Sequence, residues 1–177
     1  MDEVREQPTR RMRWVLGAVS GIQAGVLGAI AILAFMALVS LFEREPWWSY
    51  PNLLSTAFYG GRALHSGVGW PTVSGVAFQI LLAGLAGSVF GVLFGAVQNG
   101  SRLMLLGLIW GIGTLYILQS LYRVFARLIP VYSQDLALLG AHTVFGLILG
   151  KCSRNPLGGA VPEPSLESTS DTSDSIS

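Results

Sequence analysis

Residues 79–95 read QILLAGLAGSVFGVLFG, and residues 134–150 read QDLALLGAHTVFGLILG. Aligned at an offset of 55 residues, the two stretches are identical at seven of their 17 positions. Apolar sequence drawn from so few residue types would match at about two positions by chance. We therefore interpret the two stretches as copies of one membrane-spanning helix. The identical pairs are Gln79/Gln134, Leu81/Leu136, Ala86/Ala141, Val89/Val144, Phe90/Phe145, Gly91/Gly146 and Gly95/Gly150.

Four uncharged runs account for most of the chain. The first, 14–42, has 29 residues, which is about 43 Å of helix against about 30 Å of bilayer hydrocarbon. The last, 136–150, has only 15 residues, and a run this short is often a buried helix of a soluble domain. Its match to 79–95 favours a membrane span instead. We predict an all-α integral membrane protein whose four transmembrane helices lie at about 14–42, 72–98, 103–125 and 133–151.

The first and third spans also share a short pattern. Leu16-Gly17 and Gly21-Ile22 recur as Leu106-Gly107 and Gly111-Ile112, after which the similarity fades. The chain is thus expected to contain two copies of a two-span helical hairpin. Because each copy has an even number of spans, both copies enter the membrane from the same side, which makes a parallel repeat.

Composition excludes several classes of protein. Hydrophobic residues make up 51% of the 177 residues and charged residues only 12%, against about 25% charged residues in a soluble domain. The net charge of +1 leaves no basic face for a nucleic-acid partner. Cys152 is the only cysteine, so the chain has no internal disulfide, and four Cys or His ligands at zinc spacing are missing.

The distribution of basic residues predicts the orientation in the cell inner (plasma) membrane. Seven Lys or Arg residues lie in the two termini and the loop between spans two and three, and four lie in the other two loops. Basic residues accumulate on the cytoplasmic side, so both termini are expected there. We predict a basic N-terminal segment at 1–13, and at 153–177 a cytoplasmic tail that is too polar to fold.

Glycines recur every four residues in all four spans, which places each set on one helix face. Such faces let two backbones approach closely in lipid. The glycines are predicted to pack helices together inside the monomer, and the alternative is self-association. They are Gly17, Gly21, Gly25, Gly87, Gly91, Gly95, Gly107, Gly111, Gly146 and Gly150.

The loop at 43–71 is rich in aromatic residues. Aromatic rings with polar tips favour the headgroup level of a bilayer, so we interpret these residues as interfacial anchors, with a lid or a partner-docking surface as the alternative. Pro51 is expected to open a short helix that runs to about Leu64 in the interface. The predicted anchors are Trp47, Trp48, Tyr50 and Trp70.

A polar cluster is predicted in the outer third of the spans. His142 takes the place that Gly87 has in the matching helix, so it faces a helix interface and not lipid. An ionisable residue there is either a functional group or one partner of an interhelical hydrogen bond. We favour a structural network over a substrate pocket, with Asp135 paired to Arg123 or Arg127. The cluster comprises Gln79, Gln119, Arg123, Asp135 and His142.

No catalytic motif accompanies these residues, and no cofactor is expected. Haem ligation would need a second histidine, and His65, the only other one, lies in the outer loop. The sequence favours a non-catalytic accessory or scaffold component of the membrane, with the lipid bilayer and a membrane complex or a second copy as partners. The alternative is a protomer of an oligomeric transporter or channel for small solutes, and a membrane enzyme or haem protein ranks third.

Overall fold

The computed structural model describes residues 10–97, 99–129 and 135–153. Within these ranges the regular structure is entirely helical. Four α-helices, α1 (Arg10–Phe42), α3 (Trp70–Phe94), α4 (Gly100–Phe125) and α5 (Asp135–Cys152), are long and apolar enough to cross a membrane. The shorter helix α2 (Ser49–Tyr59) and a 3-10 helix (Gly60–His65) lie between α1 and α3. The prediction of an all-helical chain with four helices able to span a membrane is confirmed.

The helix bounds differ from the predicted ones by a few residues. Helix α1 begins by Arg10, because arginine is a good helix former and continues the helix beyond the apolar run. Helix α3 ends at Phe94 and is capped by Gly95, short of the predicted end at 98. The start of the fourth span before Asp135, most of the segment 1–13 and nearly all of the tail 153–177 lie outside the described residues.

Helices α1 and α3 pack through glycine. A Cβ atom built on Gly17 would collide with the carbonyl oxygen of Gly91, and one on Gly21 with that of Gly87. Gly25 meets Ala83 in the same way. Because positions rise along α1 as they fall along α3, the two helices are antiparallel. Backbones this close leave no room for any side chain at the crossing.

Helices α4 and α5 repeat this contact. The Cβ direction of Gly107 is blocked by the carbonyl oxygen of Gly146, and that of Gly111 by the carbonyl oxygen of His142. Gly150 lies against the backbone of Met104, with a built Cβ 2.6 Å from its Cα atom. These two helices are also antiparallel.

Two further contacts join the hairpins. On one side, the ring of Phe145 in α5 fills the space over Gly28 in α1, and Phe35 packs against Gly140. On the other side, α3 and α4 meet mainly through large rings, where Trp110 donates a hydrogen bond of 3.2 Å to the carbonyl of Ala86. The α1–α5 and α3–α4 contacts are therefore made through side chains, whereas α1 with α3, and α4 with α5, meet backbone to backbone.

The segment 49–65, here called the cap, closes one end of the bundle. The carbonyl of Pro51 sits where a side chain at position 75 would project, so Gly75 permits the crossing of α2 over α3. The Asn52 side chain is 1% exposed. Its amide donates to the Ser66 carbonyl at 2.8 Å, and its oxygen accepts from the Thr72 hydroxyl at 2.7 Å.

The cap corrects one expectation about the loop. We expected a helix from Pro51 to about Leu64 lying in the membrane interface, but residues 50–56 are all buried against the bundle. Tyr50 is only 7% exposed and is not an interfacial anchor. The mixture of polar and apolar residues in the loop did not indicate this burial. The polar groups of the cap can be buried because they bond to one another and need no solvent.

Candidate functional site

A small cavity lies beneath the cap, between helices α3, α4 and α5. Its volume is about 20 Å³. Apolar side chains form most of its wall, and five polar side chains, from four different helices, face it: Tyr50, Gln79, Gln119, Tyr122 and His142. Three of the five predicted cluster residues therefore meet at one place.

Tyr50 and Gln79 connect the cap to α3. Gln79 lies one turn beyond Gly75, where α2 crosses α3, so the cap delivers Tyr50 directly above it. The Tyr50 hydroxyl donates to Gln79 Oε1 at 3.3 Å. Burial, together with the nearby Tyr122, raises the pKa of Tyr50 well above its usual value, so this hydroxyl stays a neutral donor.

His142 enters the cavity from α5. Its Nδ1 lies 3.0 Å from the carbonyl oxygen of Leu138, one turn earlier on the same helix. A carbonyl oxygen only accepts hydrogen bonds, so Nδ1 carries the proton of the neutral ring and Nε2 is left as an acceptor. The imidazole is 6% exposed and packs edge-on against Phe145.

Asp135 is reached through Gln119. The Gln119 amide donates to the Asp135 carboxylate at 3.3 Å. Within the described ranges no ion pair joins Asp135 to Arg123 or Arg127, and both arginines are exposed, so the predicted pairing is wrong. Gln119 lines the cavity and reaches α5, whereas Arg123, one turn further along α4, is exposed and does not line the cavity.

Two of the five polar residues that face the cavity were not predicted as part of the cluster. Tyr122 is three residues after Gln119 and shares its helix face, so helical spacing alone could have identified it. Tyr50 lies in a loop whose path the sequence did not reveal. The residue type alone does not assign either tyrosine to the cavity, because tyrosine fits an interfacial anchor equally well. Only the position of each tyrosine in the fold does so.

A second and larger space, here called the groove, lies between the end of α1 and the cap. It has a volume of about 350 Å³, which is within the usual range for ligand pockets of about 300–1,000 Å³. Its floor includes Met36, Leu53 and Leu138, and its rim includes Glu43 and Glu45. None of the described residues that line it is basic.

The end of α1 aims both acids into the groove. Arg44 adopts a left-handed conformation with φ of 60°, and the Glu45 amide then bonds to the Ser40 carbonyl at 2.9 Å. This is the reversal that usually ends a helix at glycine. Glu43 and Glu45 line the groove on either side of the turn, while Arg44 does not.

The remaining predicted residues are placed as follows. Trp47 and Trp70 are 47% and 79% exposed, and their role as anchors stays a prediction, whereas Trp48 is half-buried and lines the groove. His65 is exposed at the end of the 3-10 helix and does not line the cavity with His142. In the part of the chain that the structure describes, no three His, Cys, Asp or Glu residues lie close enough to hold a metal ion.

Comparison with known proteins gives no relative from which a function could be transferred. No family model matches the chain, and neither a curated protein nor a solved structure matches it.

Proposed function

We propose that the chain is a non-catalytic accessory or scaffold subunit of a membrane complex, and that a partner docks in the groove. The groove carries the proposal. It combines an apolar floor with two carboxylates at the rim and is partly open to the surroundings. A buried apolar centre with polar groups around it is the usual anatomy of a protein interface.

The partner that fits this chemistry is a protein segment with apolar side chains and a lysine or arginine. Glu45 places a negative charge at the rim, and no described lining residue is basic. Opposite charge across an interface favours the correct partner and disfavours others. Trp48, on the same wall, adds an aromatic face on which a cation is attracted.

The membrane helices support a scaffold more than a transporter. The glycines of α1 and α3 face one another, as do those of α4 and α5. The cavity beneath the cap holds about 20 Å³, too little for a solute path inside one copy. A transporter or channel would therefore require a path between copies.

We further propose that the two hairpins are repeats, with both termini cytoplasmic. In the alignment, Gly17 corresponds to Gly107 and Gly91 corresponds to Gly146. Gly17 contacts Gly91, and Gly107 contacts Gly146. Likewise Gly21 with Gly87 corresponds to Gly111 with His142. Equivalent contacts at equivalent positions are what duplication of a hairpin would leave, and the distribution of Lys and Arg supports the orientation.

Photo-crosslinking in intact cells tests the docking proposal. A photoreactive residue at Leu64, which lines the groove, should give one discrete adduct heavier than the 18.9 kDa chain. The same residue at Ile117, which is 66% exposed on α4, serves as the control and should label lipid only. The crosslinked partner peptide should carry Lys or Arg beside apolar residues.

Charge reversal sharpens this test. Glu45→Lys should reduce the adduct about tenfold or more, since like charges in an interface cost several kcal/mol. Thermal unfolding of this variant should match that of the unchanged protein, because the Glu45 side chain is exposed at the rim. An adduct with the mass of two copies, or one unaffected by the reversal, contradicts the proposal and favours an oligomer.

A further inference from the structure

Three polar atoms in the cavity beneath the cap have no partner within the described part of the protein. They are the amide nitrogen of Gln79, the hydroxyl of Tyr122 and Nε2 of His142. Their side chains are only 6%, 9% and 6% exposed, respectively. Among the described residues only Ser153 Oγ is both fully buried and unpartnered, so these three atoms remain accessible to a molecule the size of water. Polar groups left unpaired in so confined a space are costly, so they point to a small ligand that bonds to them.

The size of the space limits that ligand. The cavity measures about 20 Å³, and a cavity needs about 10–15 Å³ to hold one water molecule, which also needs two to four polar partners. The space therefore fits a single molecule of that size. It is too small for a substrate with several heavy atoms.

The hydrogen-bonding character of the wall selects among molecules of this size. Gln79 offers a donor, and His142 offers an acceptor, because its proton is on Nδ1. The Tyr122 hydroxyl can do either. A ligand must accept from Gln79 and donate to His142 at once, which water does. Ammonium, which only donates, would leave the Gln79 amide facing another donor.

We infer that the cavity is a binding site for one ordered water molecule, held by Gln79, Tyr122 and His142. The three residues lie on α3, α4 and α5, so the water joins the two hairpins on the side where α3 and α4 are separated by rings. It also extends the bond from Tyr50, which makes the cap part of the same network.

Solid-state NMR of the full chain in lipid, labelled with ¹⁵N-histidine, tests this site. Only two histidines are present, and exposed His65 is the internal control. Nε2 of His142 should give the signal of an unprotonated nitrogen and should receive magnetisation from water protons. The transfer to His142 should persist when the signal of bulk water is suppressed by line-width filtering. The transfer from water to His65 should disappear under the same filter.

Tyr122→Phe removes one of the three partners with little change in volume. The transfer from water to His142 should then be lost or strongly reduced, while Tyr116→Phe, at a site 65% exposed on the same helix, should leave it unchanged. A protonated Nε2, or no transfer from water to His142 in the unchanged protein, overturns the inference. Equal transfer in both variants does so as well.

Discussion

Gly91→Leu is expected to abolish most of the folded yield of this protein in membranes. A Cβ atom at position 91 would collide with the carbonyl oxygen of Gly17 and lie 2.8 Å from the Cα atom of Gly21. The obstacle is backbone, which cannot move aside like a flexible side chain. Overpacking usually costs about 1–3 kcal/mol, and separating two whole helices exceeds that because close backbone approach drives their association.

The matched control lies two residues away in the same helix. Val89 is 49% exposed on the lipid side of α3, so Val89→Leu should leave the yield of monodisperse protein in mild detergent unchanged. Gly146→Leu should be as damaging as Gly91→Leu, since Gly146 meets the backbone of Gly107 and Leu108 in the same way. Equal yields for Gly91→Leu and Val89→Leu would show that α1 and α3 do not pack at this glycine.

Asn52→Ala is expected to detach the cap from the bundle. It leaves the Ser66 carbonyl and the Thr72 hydroxyl without the partners that now lie at 2.8 and 2.7 Å. Each buried polar group left unpaired costs about 1–3 kcal/mol. Thermal unfolding in detergent should shift to lower temperature, and limited proteolysis should cut the exposed stretch around Gly67.

An exposed asparagine provides the comparison. Asn99 caps α4 by accepting from the amides of Ser101 and Arg102, but it does so in contact with solvent. Asn99→Ala should cost only about 0.5–2 kcal/mol and should leave the cap resistant to protease. Protease resistance at Gly67 in Asn52→Ala would mean that packing of Pro51 on Gly75, and not the asparagine, holds the cap.

The four long helices could be predicted from the sequence because lipid imposes one requirement on every residue of a span. Absence of charge over about 20 residues is sufficient evidence for a helix there. Even the shortest span, Asp135–Cys152, was identified by its match to 79–95. The glycine spacing likewise gave the faces on which the helices meet, because a period of four is fixed by helix geometry.

The cap and the cavity could not be predicted in the same way. Tyr50 reaches Gln79 across 29 residues of chain, and nothing in a loop sequence specifies such a contact. The Asp135 pairing was wrong because opposite charge at a similar depth does not by itself form an ion pair. Both arginines are exposed, and a neutral amide bonds to the carboxylate instead. The groove depends on one left-handed residue, Arg44, where sequence alone would favour glycine.

Cysteine accessibility in intact cells tests the central claim, four spans with both termini on the cytoplasmic side. Single cysteines would be placed at Val68 and Ser101 in a Cys152→Ser background, with the native Cys152 as a third site; all three positions are exposed. An impermeant thiol reagent should label position 68 in intact cells and positions 101 and 152 only after permeabilisation. Labelling of 101 together with 68 in intact cells would contradict the four-span arrangement, and labelling of 101 and 152 without 68 would contradict the orientation.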